Sequence, residues 1–362
     1  MYYSDYLQLD KILNAQLPES EKNQQPAHDE MLFIVIHQAY ELWFKQLLYE
    51  VSAVAGIMEK PSLNDNSPEL QTVVHRLSRV STILKLLVYQ IDVMETMTAM
   101  DFLDFRDMLR PASGFQSWQF KVLEARLGLK YENRHGQEYY LSALRPEHVE
   151  YIKAAEKERP LLDLVNTWLE RMPFFEEDSN WINYKTLTNS TPPPLGEAGR
   201  GLPPPLEGAR LPFWTDYRQI YISSLADPEK INMEYFDSTF FDDPPISGRR
   251  LSPTASRAAL FIMLYRGYPI LQLPFQLLNN LLEIDEQLST WRYRHMSMVH
   301  RMIGTRIGTG GSSGRDYLKG ALDRHYIFAE IARLTSFLIE RRKLPELSSE
   351  MEARLGFSNI HH

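Results

Sequence analysis

Apolar residues recur along this chain at the spacing of a single helix face. One uninterrupted stripe consists of Leu70, Val73, Val74, Leu77, Val80, Leu84, Leu87, Val88, Ile91 and Met94. Residues three or four positions apart lie on the same side of an α-helix, so the stripe predicts one long amphipathic helix. Ser67 and Pro68 mark its start, as the N-cap and the first helical residue.

The same periodicity predicts further helices throughout the chain. They cover roughly residues 29–58, 114–128, 146–171, 273–303 and 315–342. Ser252 and Pro253 repeat the helix-start signal before another apolar segment. No segment alternates apolar and polar residues as a half-buried strand does, and no internal repeat is present. The pattern therefore predicts an all-α fold, a helical bundle.

Residues 191–213 interrupt the helical pattern with two Pro-Pro-Pro triplets and several glycines. Such a sequence cannot form a regular helix. We interpret it as a surface loop within an insertion that covers residues 173–250, or alternatively as a lid or an interface arm. Residues 1–172 and 251–362 are then expected to form the two parts of one integrated helical core.

Composition narrows the class of protein. The chain has 362 residues, of which 44% are hydrophobic, and a formal net charge of −8. An acidic protein is a poor partner for nucleic acid. The absence of cysteine excludes disulfides, iron–sulfur clusters, thiolate-ligated heme and covalently attached heme. No apolar stretch reaches the roughly 20 residues of a membrane span, and the N-terminus lacks a signal-peptide pattern. We expect a soluble cytoplasmic protein with no membrane association.

Two histidines lie on strongly apolar helical faces. His37 shares its face with Phe33, and His295 shares its face with Trp291. His300 is five residues beyond His295 and therefore points about 140° away from it. Each histidine is either a hydrogen-bonded core residue or part of a heme pocket, where one would ligate the iron and the other would lie over the open face. The pattern alone does not choose between these interpretations.

Two further sites could recognise an anion. Residues 308–314, GTGGSSG, combine a flexible backbone with hydroxyl groups that could surround a carboxylate or a phosphate. Ser313 occupies the third glycine position of a dinucleotide-binding loop, which argues against that function. The alternative is a simple turn between helices. Arg106 lies among aromatic residues and could bind a carboxylate through two hydrogen bonds, or could pair with a neighbouring aspartate at the surface.

Other catalytic arrangements find little support in the sequence. A di-iron helical bundle needs two Glu-x-x-His pairs on core helices, and only Glu132 and His135, in a polar stretch, have this spacing. No His-Glu-x-x-His zinc signature occurs, and no Ser/His/Asp arrangement stands out.

Several segments resemble the tryptophan 2,3-dioxygenase family, and they occur in the family's order. The resemblance covers most of residues 3–172 and 250–342. It is carried by YSDYLQLDKILNAQ (3–16), AHDEMLFIVIHQAYELWFKQLL (27–48), PASGFQSWQF (111–120), PFQLL (274–278), and WRYRHMSMVHRMIG followed by GTGGSSG.

The resemblance implies an all-α bundle around a heme b. In that case His295 corresponds to the histidine that ligates the iron, and His37 to the distal histidine that accepts a hydrogen bond from the indole N–H. Phe33 corresponds to the aromatic residue that packs on the indole ring. Ser113 and Gly114 correspond to the turn beside the heme propionates.

The resemblance also implies how the amino-acid part of the substrate is held. Arg106 corresponds to the residue that pairs with the substrate carboxylate, and Thr309 to the hydroxyl that helps to hold the ammonium and carboxylate groups. Phe102 corresponds to an aromatic wall of the pocket. The family assembles as a homotetramer in which N-terminal residues reach a neighbour's pocket. The corresponding residues here are Tyr3, Tyr6 and Leu7.

The implied reaction opens the C2–C3 bond of the indole of L-tryptophan with O2 and gives N-formyl-L-kynurenine, the first step of the kynurenine pathway. The alternatives are a related heme monooxygenase that acts on a substituted tryptophan, an indole or tyrosine, and a non-catalytic heme sensor. A helical protein without heme is a third. The sequence departs from the family at Trp118, at Met296 and throughout residues 173–250.

Overall fold

The computed structural model describes most of the chain outside residues 173–212. The described residues are 1–64, 67–134, 141, 144–172, 213–241, 248–304, 306, 325–347 and 349–356. Regular secondary structure among them is entirely helical, without a β-strand, which confirms the predicted all-α fold. None of the helices in these ranges is both long and apolar enough to span a bilayer. The Pro-rich stretch lies outside the described residues, apart from Phe213.

The helices are labelled here in chain order. The first group is α1 (Tyr3–Leu7), α2 (Leu9–Leu13), α3 (Glu19–Lys22), α4 (Asp29–Met58), α5 (Pro68–Met94), α6 (Ala99–Arg106), α7 (Trp118–Leu127), α8 (Pro146–Lys157) and α9 (Leu161–Glu170). The second group is α10 (Phe213–Ser224), α11 (Asn232–Phe240), α12 (Pro253–Leu264), α13 (Gln272–Ile303), α14 (Ala329–Arg333) and α15 (Ser349–Leu355).

The long helices begin where their sequence signals indicate. Helix α4 has the predicted bounds, and α13 begins one residue before the predicted start at residue 273. The backbone N–H of Leu70 donates to Oγ of Ser67 over 3.1 Å, so Ser67 caps α5 as expected. The N–H of Ala255 likewise donates to Oγ of Ser252 over 3.1 Å at the start of α12.

Two helix predictions were wrong in their extent. The helix predicted over residues 146–171 is interrupted between α8 and α9, because Pro160 lacks a backbone N–H and disfavours helical geometry in the residue before it. The helix predicted over 114–128 begins only at Trp118. Residues Gly114–Gln116 form a 3-10 turn instead, and Oγ of Ser117 caps α7 by accepting from the N–H of Phe120.

The prediction of one helix over residues 315–342 is wrong for residues 325–342, the part of this range that the structure describes. Only α14 is α-helical there, and residues Leu334–Phe337 form a 3-10 helix. The hydroxyl of Tyr217 donates to the carbonyl of Phe337 over 2.6 Å, and that of Tyr221 donates to the carbonyl of Ser336 over 3.2 Å. Side-chain donors thus satisfy carbonyls that a longer helix would have bonded itself.

The chain divides into two compact units. The first contains residues 1–61, 72–162 and 280–328, and the second contains residues 62–71, 163–279 and 329–362. The predicted division at residues 172 and 250 stays a prediction.

Helices α4, α5, α7, α8 and α13 supply the core of the first unit. Val122 and Ala125 of α7 pack against Ile152 and Ala155 of α8. The buried hydroxyl of Tyr40 on α4 donates to the carbonyl of Leu87 on α5 over 2.9 Å. These contacts hold α4 in place, and α4 carries one wall of the pocket described below.

Aromatic rings fill the core of the second unit. Trp214, Tyr217 and Tyr221 project from α10 and are almost completely buried. Phe236 and Phe240 of α11 lie with ring centroids 4.8 Å apart and pack against them. Among the residues that the structure describes, those lining the pocket all belong to the first unit.

Candidate active site

One pocket in the first unit brings together most of the residues singled out from the sequence. It contains about 840 Å³ of space, part of which is open solvent. Helices α4, α6 and α13, the end of α5 and the turn after α6 all contribute to its lining. The lining residues predicted for the site are Phe33, His37, Phe102, Arg106, Ser113, Gly114 and His295.

Helix α4 fixes the orientation and the tautomer of His37. Its Nδ1 lies 2.7 Å from the backbone carbonyl oxygen of Phe33, one turn earlier. A carbonyl oxygen only accepts hydrogen bonds, so Nδ1 must carry the proton. Burial lowers the pKa of His37 below 6.5, although the Phe33 carbonyl and Glu41 oppose this effect. The ring is therefore neutral at pH 7, and its Nε2 offers a lone pair as an acceptor.

Aromatic rings pack beside the imidazole of His37. The ring of Phe33 lies 4.1 Å from that of His37 and 5.8 Å from that of Phe102, measured between centroids. Phe105 lies behind them, fully buried, with centroid distances of 5.6 Å to Phe33 and 5.4 Å to Phe102. The result is an apolar wall that bears one hydrogen-bond acceptor.

His295 reaches the same pocket from α13. Burial, together with the smaller effect of the nearby His37, lowers its pKa to about 4. Its Nδ1 is buried and makes no hydrogen bond within the part of the chain that the structure describes. The ring of Trp291, one turn earlier, stacks on it with centroids 5.1 Å apart. His295 is thus a neutral imidazole that can coordinate a metal.

Apolar side chains surround His295 and suit a large planar cofactor. Those contributed by α13 are Met298, Val299, Met302 and Ile303. At the turn after α6, a Cβ added at Gly114 would meet no heavy atom within 4 Å. A single neutral imidazole, an apolar lining and an open backbone turn together fit a heme.

A metal site built from protein groups alone finds no support. Among the described residues no three His, Asp or Glu side chains converge on one point. His135, of the Glu-x-x-His pair considered in the sequence, lies outside the described residues.

Arg106 ends α6 and points into the pocket. Only 4% of the residue is exposed. Its Nη1 lies 3.8 Å from Oδ1 of Asp107, which is too long for a hydrogen bond, and the same Asp107 oxygen is closer to Nη2 of Arg110, at 3.2 Å. The ion pair with a neighbouring aspartate, the alternative interpretation of Arg106, is thus present at a long distance, while the guanidinium itself is buried and lines the cavity.

The turn after α6 is held by its own polar groups. Oγ of Ser113 accepts a hydrogen bond from the N–H of Phe115, and the N–H of Ser113 donates to Oε1 of Gln116, each over 3.3 Å. Ser113 and Gly114 consequently border the pocket with a fixed backbone.

Some predicted residues are not in the pocket of the single chain. Tyr3 and Tyr6 of α1 are 75% and 71% exposed, and Leu7 does not line the cavity. Thr309 and the rest of the GTGGSSG segment lie outside the described residues.

Some lining residues were not identified as site residues from the sequence. These are Met94, Met97, Phe115, Met298, Val299, Met302 and Ile303. Met94 and Met298 belong to apolar helical stripes that also predict core packing, so nothing in their spacing separated the two roles. Nothing in the sequence distinguished Phe115 from the neighbouring residues as a member of the site.

Known proteins provide an independent comparison. The family model for tryptophan 2,3-dioxygenase matches residues 1–338 of this chain. A tryptophan 2,3-dioxygenase from Bdellovibrio bacteriovorus is 42% identical over 362 residues, covering 99% of this chain and 98% of the relative. One from Xenopus laevis is 43% identical, covering 96% and 84%. One from Dictyostelium discoideum is 41% identical, covering 99% and 88%.

The burial of His295 predicts an acid-sensitive fold for the protein prepared without heme. The pKa of His295 falls from 6.5 to about 4 on folding, so between these values the unfolded chain binds a proton that the folded chain does not. The free energy of unfolding should fall as pH decreases from 6.5 towards 4, by at most about 3 kcal/mol from this residue.

Urea unfolding at several pH values across this window measures the effect. His295→Leu should flatten the decline, because leucine has no proton to bind. His75→Gln, which alters an exposed histidine of α5, is the control and should leave the decline unchanged. A His295→Leu protein with the parent's pH dependence would contradict the assigned burial.

Proposed function

The chain belongs to the tryptophan 2,3-dioxygenase family, and we propose that the pocket of its first unit is the site of the family's reaction. The protein is a dioxygenase of tryptophan degradation, which cleaves the indole C2–C3 bond in the first step of the kynurenine pathway. O2 is the second substrate, and the product is N-formyl-L-kynurenine. One observation supports the location above all others, namely that two neutral histidines and a buried arginine line the same apolar cavity.

We infer that the pocket binds heme b through His295. The neutral imidazole, the apolar side chains of α13 and the open turn at Ser113 and Gly114 support this assignment. When bound, the heme would supply the iron that activates dioxygen, which is chemistry that amino-acid side chains do not provide. The protein's part is to hold the cofactor and to position the substrate beside it.

The indole ring would bind between α4 and α6. Nε2 of His37 would accept the indole N–H, and the rings of Phe33 and Phe102 would pack against the bicyclic system. Because the carbonyl of Phe33 keeps the proton on Nδ1, the acceptor is present before the substrate arrives and needs no rearrangement. Pre-organised positioning of this kind lowers the entropic cost of reaching the reactive geometry.

The amino-acid part of the substrate would be held by Arg106. A guanidinium keeps its charge at any pH of interest and can form two parallel hydrogen bonds with a carboxylate. Because the guanidinium is buried, this pairing is stronger than at the surface. Thr309 would assist at the ammonium and carboxylate groups, an assignment that rests on the sequence resemblance alone.

We also propose a homotetramer in which Tyr3, Tyr6 and Leu7 complete a neighbouring subunit's pocket. The exposure of both tyrosines in the single chain supports this, since it leaves the two rings available for such a contact. The cytoplasmic location stays a prediction.

The first test is a single optical experiment. The protein is expressed with heme available, reduced, and mixed with L-tryptophan in air, and the heme band and product absorbance are recorded together. We expect a heme band and the appearance of N-formylkynurenine. Mass spectrometry should find both atoms of O2 in the product, whereas a gain of one oxygen without ring opening would indicate the monooxygenase. Heme without turnover would indicate the sensor, and a colourless His295-containing protein would contradict the heme assignment.

The substrate clamp is tested by Arg106→Leu. Loss of a desolvated charge pair should weaken tryptophan binding by about a hundredfold, measured as the tryptophan concentration that produces half the change in the heme spectrum. Heme content should stay near that of the parent. Arg110→Leu, four residues away at the surface, is the matched control and should bind tryptophan normally. An unchanged tryptophan affinity in Arg106→Leu would refute the clamp.

The shared site is tested with a Tyr3→Ala/Tyr6→Ala variant and its mass in solution. We expect a tetramer with weakened tryptophan binding, while Tyr2→Ala, a neighbouring exposed tyrosine, should behave as the parent. Co-expression of the double variant with His37→Ala should restore part of the activity, because mixed tetramers combine an intact pocket with an intact N-terminus. No recovery in confirmed mixed tetramers would show that each pocket uses its own N-terminus.

A further inference from the structure

A group of buried charges contacts α13 beside the pocket without lining it. We call it the Glu124 cluster, and it consists of Glu124, Arg134, Arg292 and His325. The carboxylate of Glu124 pairs with Nη1 of Arg134 over 2.6 Å and with Nη2 of Arg292 over 2.7 Å. Each of the four side chains is at most 5% exposed. Nothing in the proposed reaction uses these groups directly.

The cluster carries permanent charge. Burial alone would raise the pKa of Glu124, but Arg134, His325 and Arg292 outweigh burial and hold this pKa well below its usual value. A buried carboxylate with two arginines is costly to desolvate and is rarely better for stability than apolar packing of the same volume. Such groups can instead specify one arrangement among several.

The cluster joins α13 to two other segments. Glu124 belongs to α7, and Nη1 of Arg292 donates to the backbone carbonyl of His325 over 3.2 Å. Two turns earlier on the same face of α13, the carboxylate of Asp285 accepts hydrogen bonds from the N–H groups of Ile327, over 3.0 Å, and Phe328. Hydrogen bonds and ion pairs therefore hold one face of α13 at two positions, Asp285 and Arg292.

Arg292 precedes His295 by three residues, so the two side chains leave α13 about 60° apart. The other contacts of α13 near His295 restrict its rotation less. Trp291 lies against Phe120 with centroids 5.0 Å apart. Arg294 pairs with Asp92 and Glu95 at partly exposed positions, where ion pairs contribute little. Packing between rings has no strong preference for one rotation of the helix, whereas the ion pairs of Arg292 do. With side chains at a radius of about 5–6 Å, a 10° rotation of α13 would move the imidazole by about 1 Å.

We propose that Glu124 is a positioning residue for His295: by holding Arg292, it fixes the rotation of α13 at which the imidazole faces the pocket. The proposal rests on the assignment of His295 as the heme ligand. Displacements of about 1 Å are enough to impair a coordination or catalytic geometry. Glu124 thus acts on the cofactor site through the helix, without contacting it.

The primary test is Glu124→Gln in the heme-loaded protein, compared with Glu50→Gln. Glu50 is the control, because it is a similarly buried glutamate on α4. It pairs with two arginines of α5, Arg76 and Arg79, which are 32% and 47% exposed, and these ion pairs do not involve α13. We expect heme to dissociate about tenfold faster from Glu124→Gln, as is usual when a residue that supports a metal ligand is lost. The absorption spectrum of the bound heme should also change. Glu50→Gln should keep the parent's rate and spectrum at a comparable loss of unfolding free energy.

Imidazole rescue separates positioning from general destabilisation. In His295→Gly, imidazole added to the solution can take the place of the side chain, and it is not tethered to α13. Adding Glu124→Gln to this variant should then change neither heme dissociation nor the spectrum beyond the effect of Glu50→Gln. If Glu124→Gln is equally harmful with free imidazole, the cluster acts only on stability and the proposal is overturned.

The outcomes also distinguish this inference from the proposed function. If His295→Gly retains the parent's heme spectrum, His295 is not the ligand, and both statements are refuted. If His295 is confirmed as the ligand but Glu124→Gln matches Glu50→Gln, only the positioning role is refuted.

Arg292→Lys keeps the charge but loses the planar group that reaches both Glu124 and the His325 carbonyl. It should reproduce the Glu124→Gln spectrum, and it serves as the test if Glu124→Gln does not fold.

Discussion

The burial of the two histidines that line the pocket determines their protonation state. Burial keeps His295 neutral, as its pKa of about 4 expresses, and it keeps His37 neutral too. Arg106 is buried as well and contributes a guanidinium, so the pocket combines a cationic group with two uncharged imidazoles. That combination matches a ligand with one carboxylate and one neutral N–H donor, and it suits a metal that requires an unprotonated nitrogen.

Long helices make this combination possible. Helix α4 supplies Phe33 and His37 from consecutive turns, so the backbone carbonyl of one fixes the tautomer of the other. Helix α13 presents His295 to the pocket while Asp285 and Arg292 bind polypeptide segments on another of its faces. A single rigid element therefore connects the apolar pocket to a charged interior, and a rotation of the helix would disturb both.

Local signals in the sequence sufficed for the helices whose limits are set locally. Ser67 with Pro68 and Ser252 with Pro253 start their helices where predicted, because a cap depends only on adjacent residues. Around residues 334–337 the same reasoning failed, because Tyr217 and Tyr221 supply the competing hydrogen bonds from more than a hundred positions away. Glu124 and Arg292 are separated by 168 positions, so no spacing rule could have paired them.

The candidate site was predictable in a different way. Periodicity alone left His37 and His295 as either core residues or heme-pocket residues, and family resemblance was needed to give them roles. The structure adds what neither source contained, namely the bond that leaves Nε2 of His37 as the acceptor. A neutral acceptor of this kind would bind an indole N–H or a phenolic O–H, so it does not by itself select tryptophan over tyrosine. Selection must come from the shape of the apolar wall around Phe33 and Phe102, where a bicyclic ring buries more surface than a phenol and gains roughly 25 cal/mol for each additional Å².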